Sequence, residues 1–189
     1  MLDFAQINHL MPGNILVMQI KKIKAVIFDM DGVLIDAKDW HYDALNKALS
    51  TFGMTISRHD HLTSYDGLST GQKLKKLSKI YTLPSSLHSF INEMKQQYTM
   101  DITHQNCKPI FHHQYALSKL KEAGYKIAVA SNSVRNSVSV MMEKSKLDTY
   151  LEFYLSNQDV KNAKPDPEIY NSAINKLGLL PTECVIVED

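Results

Sequence analysis

The sequence predicts an α/β fold, a doubly wound parallel sheet with a small all-helical segment inserted after the first strand. Three observations carry the prediction. Four short apolar runs, residues 25–28, 127–130, 153–155 and 184–187, suit strands buried in a parallel sheet. From Pro109 onward these runs alternate with stretches of helical period, which implies right-handed crossovers. Between Asp36 and His104 no strand pattern occurs and only helical spacing remains.

In chain order, residues 1–20 are mildly apolar, lack a basic leader and are interrupted by Pro12-Gly13, so neither a secretory signal nor a membrane span is expected. They read as a leader before a domain that begins near Lys21, the alternative being an extra strand packed on the core. After the first strand, Trp40, Ala44, Leu45, Ala48, Leu49 and Phe52 recur at helical spacing, with Gly53 placed as a C-terminal cap. A second helix over residues 71–81 puts Leu74 and Leu77 on one side, and Lys73, Lys75, Lys76 and Lys79 read as a solvated face. A third opens near Ser85 and Ser86 after Pro84 and carries Leu87, Phe90, Ile91, Met94 and Tyr98. Residues 37–104 are thus the expected helical cap, and residues 21–36 and 105–189 the core. In the core, a helix with Tyr115, Leu117 and Leu120 precedes the second strand, and one with Val138, Met141 and Met142 precedes the third. Residues 167–177, stopped by Gly178, precede the fourth.

With 189 residues, 44% of them hydrophobic and 22% charged, the chain suits one domain with an insertion. Its 21 basic and 20 acidic residues leave a formal net charge of +1, which gives no global pull toward nucleic acid or an anionic membrane; neither is an expected partner. Cys107 and Cys184 make no disulfide framework, and a reducing, cytoplasmic setting is expected. The expected state is a monomer or weak dimer, although no residue pattern fixes it.

Each apolar run is closed on its C-terminal side by polar or acidic residues: Asp29 and Asp31, Ser131 and Asn132, Ser156 and Asn157, Glu188 and Asp189. In an open parallel sheet those ends share one edge, the usual place for a ligand. Asp29 and Asp31, followed by Gly32, also have the composition of a simple turn. Yet two like charges at the end of a buried strand repel and lose solvation, which a divalent cation would offset. His59 and His61, or His112 and His113, lack the clustered partners of a transition-metal site. Residues 67–71 do not have the spacing of a phosphate-binding glycine loop.

Four segments, 28–33 (Phe-Asp-Met-Asp-Gly-Val), 130–133 (Ala-Ser-Asn-Ser), 164–167 (Lys-Pro-Asp-Pro) and 187–189 (Val-Glu-Asp), resemble in order and spacing the motifs of the haloacid dehalogenase-like (HAD) hydrolase superfamily. The resemblance covers residues 24–189, and the helical insertion is similar to the cap of the phosphoglycolate phosphatase and β-phosphoglucomutase branch. It implies a Rossmann-like core and Mg²⁺-dependent phosphoryl transfer to or from a small-molecule phosphoester. By that resemblance Asp29 is the nucleophile, forming an aspartyl-phosphate, and Asp31 the general acid and base. A carboxylate attacking a phosphate dianion is electrostatically hindered, which is why Mg²⁺ belongs there. The implied metal ligands are Asp29, the Asp31 backbone carbonyl and Asp189, with Glu188 acting through the groups around the ion. Ser131 is implied to hydrogen-bond the phosphoryl group with Asn132 nearby, and Lys164 to steady the nucleophile and the transferring oxygens.

The second aspartate together with Glu188 and Asp189 implies phosphotransfer; the superfamily's dehalogenases need neither that aspartate nor a metal. Implied substrate contacts are Gly67, Ser69 and Thr70 in the cap, with His41 and Lys95. In β-phosphoglucomutases an arginine follows the cap serine and grips a second phosphate; here that position is Thr70, which has no charged fork. His41 matches a histidine of the mutase branch that related phosphatases also carry, and Lys95 falls one position from the mutase's cap lysine. The expected activity is a phosphatase for a small phosphorylated metabolite (sugar phosphate, phosphoglycolate or nucleotide-like), with a β-phosphoglucomutase-like mutase as the alternative. Family members continue past the Glu-Asp motif with a helix and usually a strand, so the chain reads as truncated at Asp189. An inactive phosphate- or partner-binding remnant is the third expectation.

Overall fold

The computed structural model describes residues 23–65 and 68–189; the expected leader lies outside them. Strand β1 (Ala25–Phe28) is followed by α1 (Lys38–Ser50), a helical turn α2 (Arg58–Asp60) continued by a π turn (His61–Tyr65), α3 (Thr70–Tyr81) and α4 (His88–Asn106). Then come α5 (Phe111–Glu122), β2 (Lys126–Ala130), α6 (Arg135–Ser145), β3 (Phe153–Leu155), α7 (Glu168–Leu177) and β4 (Cys184–Val187). All strands pair in parallel in the order β3-β2-β1-β4, with Phe28 in register with Val129 on one side and Val187 on the other. This is the expected α/β sheet.

The apolar runs of β1 and β2 exist because both faces of the sheet are covered. Val26, Phe28, Ile127 and Val129 meet Leu117 of α5 and Val138, Met141 and Met142 of α6 on one face. Ala25, Ile27, Ala128 and Ala130 meet Ile169, Ala173, Ile174 and Leu177 of α7 on the other. Ile27, Ile127, Leu117 and Met141 are fully buried, each contributing on the order of 1.5–3 kcal/mol relative to exposure. Helices α1, α3 and α4, inserted between β1 and α5, form a third cluster of their own, from Leu45 and Leu49 of α1, Leu74 and Leu77 of α3 and Ile91 of α4. Among the described residues no helix is long and apolar enough to cross a membrane.

Gly53 caps α1 as expected: at φ +69° it donates its N–H to Ser50 O at 3.0 Å, while Met54 donates to Leu49 O at 3.2 Å. Two details differ from the sequence reading. The turn at 58–65 has no apolar period to betray it, although Ser57 caps it by accepting from the Asp60 N–H, the familiar Ser-x-x-acid signal. α4 runs two residues past the expected cap boundary at 104, and its buried face is Ile91, Lys95, Thr99 and Thr103. Phe90, expected on the apolar side, is exposed. Thr99 is accommodated because its hydroxyl donates to Lys95 O at 2.8 Å.

Candidate active site

The ladder between β1 and β4 continues into the acidic residues, since Asp29 donates its N–H to Val187 O at 2.9 Å. That pairing sets Asp29 beside Glu188 and Asp189, and one carboxylate oxygen from each lies within 4.8 Å of the others. Gly32 makes the approach possible: it sits at φ +88°, and a Cβ there would come within 2.5 Å of Asp189 Oδ2. Two ammonium groups meet the three carboxylates. Lys164 Nζ donates to Asp29 Oδ1 at 2.7 Å and to Glu188 Oε1 at 2.9 Å, while Lys38 Nζ lies 3.0 Å from Asp189 Oδ2. Burial pushes the Asp29 carboxyl up to about 6, against the pull of Lys164. An all-oxygen, anionic donor set anchored on a buried aspartate fits a hard divalent cation better than a soft one.

Asp31 turns elsewhere. Its Oδ2 accepts from Ser133 Oγ at 2.9 Å, with Ser131 Oγ 3.5 Å away, and its Oδ1 lies 3.1 Å from His41 Nε2. On the far side of the ring, Lys95 Nζ is 3.2 Å from His41 Nδ1. An ammonium group can only donate, so Nδ1 accepts and the proton of a neutral His41 sits on Nε2, aimed at Asp31. Burial, then the charge of Lys95, depresses the His41 pKa, consistent with that neutral form. Burial likewise pushes Lys95 down to about 8. For Asp31 burial acts upward, but His41, Ser133 and Lys95 together leave the carboxyl below its ordinary value.

Both groups open on one cavity of about 740 Å³ between the C-terminal edge of the sheet and the helices 38–106. Of the residues singled out in the sequence, Asp29, Asp31, His41, Ser69, Thr70, Lys95, Asn132, Lys164, Glu188 and Asp189 line it. Gly67 lies outside the described residues. Ser131 is fully buried and does not reach the wall; its Oγ accepts the Ser133 N–H at 3.0 Å. Asn132 spends both ends of its amide on Lys164, donating to its carbonyl at 3.2 Å and accepting its N–H at 2.9 Å. It therefore fixes the loop that carries the lysine. Ser69 is the N-cap of α3 in a capping box with Gln72.

The model of the haloacid dehalogenase-like hydrolase family matches residues 26–189. The chain belongs to this family. A phosphorylated carbohydrates phosphatase of Thermotoga maritima is 27% identical to this HAD-like hydrolase over 170 residues, covering 88% of the chain and 76% of the relative. A pyrophosphatase PpaX of Bacillus cereus is 25% identical over 170 residues, covering 89% and 75%. Among solved structures, a β-phosphoglucomutase from Clostridium difficile superposes with a TM-score of 0.76 at 25% identity, covering 88% of this chain and 76% of that one. CbbY from Rhodobacter sphaeroides, solved with xylulose-1,5-bisphosphate, gives 0.77 at 20% identity over 88% and 78%, a likeness of fold.

Sequence reading of this HAD-like hydrolase missed Lys38, Lys73 and Ser133, all on the cavity wall. Ser133 belongs to a quoted motif but stands one residue beyond the position singled out. Lys73 was expected in solvent because its neighbours Lys75, Lys76 and Lys79 suggest a charged face; it sits in the first turn of α3, whose end meets the cavity. For Lys38 a signal exists: a lysine opening a helix opposes the backbone dipole and calls for a carboxylate partner.

Proposed function

We propose that this HAD-like hydrolase is a Mg²⁺-dependent phosphatase of small phosphorylated metabolites, working through an aspartyl-phosphate on Asp29. The observation that carries the reading is the division of labour between two aspartates two residues apart. Asp29 lies with Lys164 in the carboxylate group, whereas Asp31 is held away from it by His41 and Ser133. Paired carboxylates in contrasting surroundings suit one nucleophile and one acid–base group.

Asp29, Asp189 and Glu188 would hold the cation, with the Asp31 backbone carbonyl as the further ligand. The bound cation would lower the repulsion between the Asp29 carboxylate and the phosphoryl oxygens. Asp29, which the bound cation would keep ionised despite its burial, attacks phosphorus, forming the Asp29–phosphorus bond as the bond to the leaving oxygen breaks. Asp31, whose pKa the incoming phosphoryl charge would raise so that it takes up a proton as substrate binds, gives that oxygen its proton. Water then attacks the phospho-aspartate while Asp31 recovers a proton from it, releasing inorganic phosphate and free Asp29. Lys164 neutralises charge on the nucleophile and the transferring oxygens, Ser131 and Ser133 orient Asp31, and Asn132 positions Lys164. Residues 37–104 act as a cap over the cavity, with Ser69, Thr70 and Lys95 turned to the substrate. The phosphatase names of the relatives in Thermotoga maritima and Bacillus cereus support a hydrolase. A cytoplasmic setting suits the two free thiols, Cys107 and Cys184.

A mutase is the second reading, favoured by the chain Lys95–His41–Asp31, which couples the helices over the cavity to the acid–base group. Thr70, with no charge to hold a second phosphate, weighs for the hydrolase. A Mg²⁺-dependent screen of sugar phosphates, phosphoglycolate and pyrophosphate tests the choice, run beside Asp29→Asn. Phosphate release by the wild type and none by the variant is expected. Conversion of β-glucose 1-phosphate to glucose 6-phosphate without phosphate release overturns the hydrolase, and unchanged turnover in Asp29→Asn overturns the nucleophile.

A further inference from the structure

Lys38 is the first residue of α1, where the helix dipole favours anions over an ammonium group. Its Nζ nevertheless lies 3.0 Å from Asp189 Oδ2, in the three-carboxylate group, on an oxygen that Lys164 does not contact. The two lysines differ in setting. The Lys164 side chain is 14% exposed and bridges two carboxylates, while that of Lys38 is 44% exposed and reaches out from a helix end. A hard divalent cation bound to the same oxygen, at about 2.1 Å, would stand no more than about 5 Å from an ammonium group kept where Lys38 now is. That is well inside the screening length at physiological salt. Ion and ammonium thus compete for the one Asp189 carboxylate, and the more exposed of the two lysines is the one with more room to shift.

Resting on the reading that a divalent cation binds Asp29, Glu188 and Asp189, we propose that Lys38 is a built-in competitor of that cation. It holds Asp189 in the metal-free protein and gives up Asp189 Oδ2 when the ion arrives. Lys38 is therefore an affinity-setting residue, not a catalytic one. Because it opens the helical segment after β1, its release also cuts one tie between that segment and the end of β4.

The test is Mn²⁺ binding, read by electron paramagnetic resonance on the metal-stripped full chain, in the absence of any substrate. Lys38→Met and Lys38→Gln should each tighten the Mn²⁺ Kd by roughly three- to tenfold, with the gain shrinking at high salt. Lys38→Arg should stay near the wild type. Unchanged or weaker binding in both neutral variants overturns the proposal, since it would make Lys38 an organiser of Asp189 instead of a rival for it. The metal reading fails separately: if the wild type binds no Mn²⁺, or binds it as well as Asp189→Asn does, that reading falls and this proposal falls with it.

Discussion

Asp29 and Asp31 are the same residue type two positions apart, and their surroundings move them in opposite directions. Burial lifts Asp29 to about 6, while the partners of Asp31 hold it below the ordinary carboxylate range. The linkage sign for Asp29 follows. A carboxyl whose folded pKa exceeds its unfolded value of 3.8 makes the folded state bind the extra proton, so stability falls as pH rises from about 4 to about 6. Asp29→Asn removes that cost. In chelator-treated protein the variant should be more stable than the wild type at pH 7.5, by about 1–2 kcal/mol once the lost contact with Lys164 is discounted. The difference should vanish near pH 4; thermal melts across that range would show it, and a variant less stable at pH 7.5 would refute it. Gly32 carries a steric prediction of another kind. At φ +88° and with Asp189 Oδ2 where a Cβ would sit, Gly32→Ala should push Asp189 aside. Loss of most Mg²⁺-dependent activity, with only about 1–2 kcal/mol of stability, is expected from paired kinetic and unfolding measurements.

At the scale of elements, the strands were easy to read and the helical insertion was read in part. A strand covered on both faces is apolar at every position, so β1 stands out with its observed ends and β2 differs only by Lys126. The edge strands β3 and β4 also have their expected ends, although Val185 and Ile186 of β4 are exposed. α4 resists the same logic because its buried face holds Lys95, Thr99 and Thr103, which periodic hydrophobicity cannot flag. The polar stripe has a reason. α4 packs on α1 and also forms part of the cavity wall, and Lys95 crosses from one helix to the other to reach His41. Lys95→Met should therefore act on His41 first. With the ammonium gone, the His41 pKa should rise, since burial remains but the second depressing cause is lost. Nitrogen-15 NMR of the ring would report it, and an unmoved pKa would show that the two groups do not interact. Activity should fall about 10- to 100-fold, because His41 Nδ1 loses the donor that orients the ring and Asp31 loses the nearby charge of Lys95.

Across the whole molecule, residues 29 and 188–189 meet because β1 has β4 as its neighbour on one side and β2 on the other. The convergence of polar strand ends was legible from the sequence, since every parallel strand must end on the same edge. Which ends become adjacent was not, because strand order depends on which face each crossover helix covers. Asn157, at the end of β3, still reaches the cavity wall, although two strands separate it from Glu188 and Asp189. The roles of Lys38 and Lys73 escaped for a related reason: both lie in first turns of helices whose ends point into the cavity, a fact of assembly and not of local pattern. This architecture has a thermodynamic consequence. A ligand that binds only the folded chain stabilises it by mass action, and the three carboxylates come together only when the β1–β4 ladder is formed. Mg²⁺ at about 100 times its Kd should thus add about 2.7 kcal/mol, raising the Tm of a chain this size by roughly 5–10 °C. The same addition to Asp189→Asn should yield much less. Calorimetry with Mg²⁺ and with excess chelator measures both quantities. Equal gains in the two proteins would mean that the ion binds somewhere other than the end of β4.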